Sequence, residues 1–107
     1  MRASVRVARD GAQDAIEAWL ASTTGRRAVL VEGIFQPLKV PHDVPLTRLS
    51  PGCVCCVGLV PLKVGIARAV RASRPESLLL VLSAGEHLQR VSDLLADGSL
   101  GVRFELD

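Results

Sequence analysis

Two uninterrupted apolar runs, RAVLV at Arg27–Val31 and SLLLVLS at Ser77–Ser83, constrain the fold more than any other feature of the chain. Neither alternates with polar residues, so neither strand has a face to give to water, and both need cover on two sides. The cover is encoded nearby. Ala15, Ile16, Trp19 and Leu20 recur at i, i+1, i+4 and i+5, which places them on one face of a helix over Ala12–Ser22 and leaves Asp14 and Glu17 towards solvent. Leu59, Leu62, Ile66, Ala69 and Val70 repeat with helical spacing as far as about Ser73, with Pro61 in the first turn, where a missing N–H is harmless. Leu88, Val91, Leu94 and Leu95 mark a further helix over Glu86–Ala96. Ser4–Ala8, Leu46–Leu49 and the alternating Val102–Leu106 read as additional strands. Parallel neighbours need crossover connections, and a helix is the usual one. The alternation therefore predicts a single α/β domain over residues 1–107, a mainly parallel sheet with helices on its faces and Ser77–Ser83 at its centre.

The interior must be aliphatic, because 49% of the residues are hydrophobic yet only Trp19, Phe35 and Phe104 are aromatic. A formal charge of +2 gives little attraction for nucleic acid or anionic membrane, and three aromatics cannot stack many bases. No stretch approaches the roughly 18 apolar residues of a membrane span, and the first residues have no apolar segment of leader length. The expected setting is the cytoplasm, without nucleic-acid or membrane partners. Between the first two helical segments, Glu32–Pro45 carries Pro37, Pro41 and Pro45 around His42 and Asp43, which predicts a loop.

Chemistry concentrates at Cys53, Cys55 and Cys56, three thiols within four positions, bracketed by Gly52 and Gly58. The number is odd and the spacing wrong for a disulfide framework, whereas a reducing compartment leaves such thiols free for metal or redox work. Polarizable sulfur suits Zn2+, and also Cu+ or Co2+, and zinc normally takes four ligands in a tetrahedron. In an extended segment Cys55 and Cys56 face opposite sides, so convergence of all three needs a turn, which the flanking glycines permit. A fourth ligand could come from Glu32, His42, Asp43, His87, water or a second subunit. Two plainer readings stand beside this one: thiol redox chemistry, and burial of cysteines as small apolar residues.

The run Leu-Ser-Pro-Gly-Cys-Val-Cys-Cys at Leu49–Cys56 resembles the G-C-x-C-C signature of CobW-type P-loop GTPases, a family of metal chaperones and metal-insertion proteins. The order of elements from Ser4 to about Leu95 is similar as well, including the Arg74-Pro75 turn and the apolar strand leading to Gly85. The resemblance implies part of a P-loop GTPase fold, metal binding by Cys53, Cys55 and Cys56, and a looser role for Glu32 as a loop acid. It implies a truncated relative, because the phosphate-binding element is missing. A P-loop needs glycines, a Lys and a Ser or Thr, whereas Ala8–Asp14 offers a single Gly and two carboxylates. Leu82 stands where an acidic residue would hold magnesium. The expectation is a zinc-binding, metallochaperone-like protein without its own GTPase activity. Two alternatives remain: a pseudo-GTPase interaction module, covering a long exposed strand edge by pairing with a second copy or a complete GTPase, and a residual GTP-binding protein.

Overall fold

Both apolar runs are strands in the computed structural model, which describes residues 2–8, 10–33, 36–49, 60–85, 88–98 and 104–106. In chain order the elements are β1 (Arg2–Val7), α1 (Ala12–Ser22), β2 (Arg27–Glu32), β3 (Leu46–Leu49), α2 (Val60–Ser73), β4 (Ser77–Leu82), α3 (Leu88–Ala96) and β5 (Glu105–Leu106). The five strands form one sheet of order β3-β2-β4-β1-β5. Every pairing in it is parallel. The expected α/β architecture is therefore present, with β4 in the middle.

The two-residue period of a strand sorts the core into two halves. Val29 and Val31 of β2 and Leu79 and Val81 of β4 meet Ala12, Ile16 and Trp19 of α1 on one face. Ala28, Leu30, Leu78, Leu80 and Leu82 meet Leu62, Ile66 and Ala69 of α2 and Val91, Leu94 and Leu95 of α3 on the other. Leu78 to Val81 are all fully buried, as an unalternating sequence requires.

The ends of α1 show how the chain stops a helix that has no basic residue in its last turn. The Ser22 and Thr23 hydroxyls both donate to the Trp19 carbonyl, at 3.0 and 2.8 Å. Arg27 Nη1 reaches back from β2 to the carbonyls of Leu20 and Thr23, at 2.9 and 3.0 Å. A cation at that end also complements the helix dipole. Gly25, at φ 83°, then turns the chain into β2.

One strand boundary needs correction. β1 starts at Arg2 rather than Ser4 because ladder pairing recruits backbone whatever the side chain, and Arg2 is in register with Ser77. Of the expected strand Val102–Leu106, Val102 and Arg103 lie outside the described residues; Glu105–Leu106 is a strand, and the Phe104 N–H donates to the Leu95 carbonyl of α3 at 3.1 Å. The outer strands β3 and β5 are four and two residues long, and β5 pairs with only Arg2 and Ala3 of the six-residue β1.

The helices following β1 and β4, adjacent strands, pass to opposite faces of the sheet: α1 on one, α3 on the other. That divergence marks the topological switch point of the sheet, whose carboxyl side is the usual ligand position in open parallel sheets. The Ala8 N–H donates to the Leu82 carbonyl there at 2.9 Å, and a Cβ on Gly85 would meet only Val7, at 3.7 Å.

Candidate metal centre

β2 runs through the core and delivers Glu32 as its last residue, at the carboxyl edge of the sheet. The sequence placed Glu32 in a loop; the ladder extends one residue further because Glu32 is in register with Leu82 of β4 and Leu49 of β3. Its neighbour Gly33 has φ 69°, and the Gly33 N–H donates to the Leu49 carbonyl at 3.0 Å. That left-handed residue lets the chain leave the sheet directly after Glu32 while the link to β3 is kept.

The Glu32 side chain is partly buried, and Ser83 Oγ donates to its Oε1 at 3.2 Å. Ser83 directly follows β4, so the contact joins the carboxyl ends of two neighbouring strands. Ser83 does not sit in a G-x-S-x-G pattern, so it is no nucleophile elbow. The two residues are 51 positions apart, and nothing short of the strand order reveals the pair.

The remaining candidate ligands separate. His42 is exposed in the turn closed by the Val44 N–H on the Pro41 carbonyl, at 2.9 Å. Val44 packs on the α1 face of the sheet, whereas Glu32 continues the β2 residues Ala28 and Leu30 on the face of α2 and α3. Cys53, Cys55, Cys56 and His87 lie outside the described residues. Among the described residues, no three His, Cys, Asp or Glu side chains are grouped to hold a metal ion.

The elements that flank the cysteine segment are well fixed. Leu49 ends β3 beside Glu32, and α2 starts at Val60. α2 lies so close to β3 that a Cβ on Gly65 would be 2.6 Å from Leu49 Cδ2. Glycine is what permits that approach.

At the start of α1 the structure has little to offer a phosphate group. Gly11 has φ −102° and no side-chain cap bond, and a Cβ placed on it would meet nothing within 4 Å. Asp14 lies in the first turn, so negative charge is already present where an anion would sit. Leu82, at the end of the central strand, is 2% exposed and has no carboxylate to offer magnesium. Among the described residues no helix is long and apolar enough to cross a membrane.

No protein-family model matches the chain, and no solved structure does. It is similar to the zinc chaperone YeiR of Escherichia coli (strain K12), with 32% identity over 63 residues. The similar region is 59% of this chain but 19% of that protein, so this chain corresponds to a minor part of its relative's length.

Proposed function

We propose that this protein binds zinc as cargo through Cys53, Cys55 and Cys56, with Glu32 as an oxygen ligand, in a role related to that of CobW-type metallochaperones. The observation that carries the reading is the C-x-C-C cluster in a chain similar to a zinc chaperone. Three thiolates and one carboxylate make a four-donor set suited to zinc, and would also accept Co2+; thiolates alone would serve Cu+.

Chain length is compatible with the assignment. Cys53 is four residues beyond Leu49, a reach of at most about 14 Å. Leu49 and Glu32 are partners on adjacent strands, which lie about 4.8 Å apart. Glu32 is a stronger candidate than His42, which belongs to a turn packed on the other face. The protein is proposed to act as a single domain in the reducing cytoplasm, where the thiols stay available.

GTP hydrolysis is not part of the proposal. Asp14 in the first turn of α1 and the buried, apolar Leu82 argue against a nucleotide–magnesium site.

Elemental analysis tests the reading. Wild-type protein purified under reducing, chelator-free conditions should carry close to one zinc per chain, and Cys55→Ser should lose most of it. Equal and negligible zinc and copper in both proteins would remove the proposal.

A further inference from the structure

We infer that Ser83 is the positioning residue of the metal site, holding the Glu32 carboxylate in one rotamer for the ion. The inference rests on the metal-binding reading given above. Glutamate carries three rotatable side-chain bonds, and on an exposed strand end it would sample many rotamers. Here the Ser83 hydroxyl donates to Oε1 at 3.2 Å, from a partly buried position just beyond the end of β4. A hydroxyl has a single proton, so this bond uses the whole donor capacity of Ser83 and leaves the other lone pairs of the carboxylate for a cation.

Fixing the rotamer lowers the entropy lost when the ion arrives. Ligating carboxylates are generally held by such outer hydrogen bonds, and removing one typically weakens metal affinity about 10–100-fold.

The test is zinc affinity, measured by competition with a chromophoric chelator, for wild type, Ser83→Ala, Ser83→Thr, Glu32→Gln and the double variant Glu32→Gln/Ser83→Ala. Ser83→Ala should weaken binding about 10–100-fold, while Ser83→Thr, which keeps the hydroxyl, restores it. In the Glu32→Gln background the same alanine change should produce no additional loss, because the group it positions no longer exists. The Co2+ absorption spectrum should change in Ser83→Ala and not in Ser83→Thr, a response that a general loss of packing would not give. Unchanged zinc affinity in Ser83→Ala overturns the inference, as does an equal loss in both backgrounds. Should wild type bind no zinc, the metal reading itself fails, and the inference with it; zinc bound by wild type but indifferent to Ser83 sinks the positioning role alone.

Discussion

Replacing Leu80 by alanine should unfold a large fraction of the protein's stability, and the structure sets the size of the loss. Leu80 is fully buried at the middle of β4, in register with Val5 of β1 and Leu30 of β2. Its side chain belongs to the cluster formed with Leu30, Ile66, Val91 and Leu95. Truncation leaves a cavity, and the backbone cannot move in to fill it because hydrogen-bonded ladders hold β4 from both sides. The expected loss is in the upper part of the Leu→Ala range, about 3–5 kcal/mol. Set against the usual total of about 5–15 kcal/mol, that leaves a marginal domain. Leu106→Ala is the control, since Leu106 is 40% exposed on the outer strand β5 and should lose about 1 kcal/mol or less. Urea unfolding followed by far-ultraviolet circular dichroism reports both variants on one scale, and the melting temperature of Leu80→Ala should fall by more than about 10 °C. Equal losses for the two variants would refute the central placement of β4 and the two-faced core built on it.

Other outcomes follow from particular contacts. Arg27→Met removes two charge-assisted bonds to the end of α1 but also relieves a buried Nε that has no partner among the described residues. The bonds should outweigh the relief, giving a net loss of about 1–2 kcal/mol in urea unfolding. Gly65→Val drives a Cβ towards Leu49 Cδ2, and the overpacking should exceed the small gain in helix propensity, for a net loss of about 1–2 kcal/mol in the same assay. Calorimetric titration with GTP and magnesium should show no binding; saturable heat would contradict the reading of the α1 N-terminus.

What the sequence disclosed and what it withheld have separate physical causes. β2, β4 and α1 were legible because burial on two faces leaves an unbroken apolar run and burial on one helix face leaves a stripe, both local in sequence. β1 was read two residues short because Arg2 and Ala3 join the ladder through their backbones, which carry no signature of residue type. Strand order is a non-local property, and with it went the Ser83–Glu32 contact, which exists only because β2 and β4 are neighbours. The position of Glu32 was missed for the same reason: a carboxylate looks like a loop residue until a register partner on each side holds it in the sheet. The cysteines were legible as chemistry, since three clustered thiols define a donor set before any geometry is known. Their own positions lie outside the described residues, so the fold contributes the flanks, Leu49 and α2, and the neighbouring carboxylate.

The most direct test of the whole account is X-ray absorption at the zinc edge of the reconstituted protein. It should reveal sulfur neighbours at about 2.3 Å and a lighter donor at about 2.0 Å, with the sulfur shell depleted in Cys55→Ser. A shell made only of oxygen and nitrogen would contradict thiolate binding.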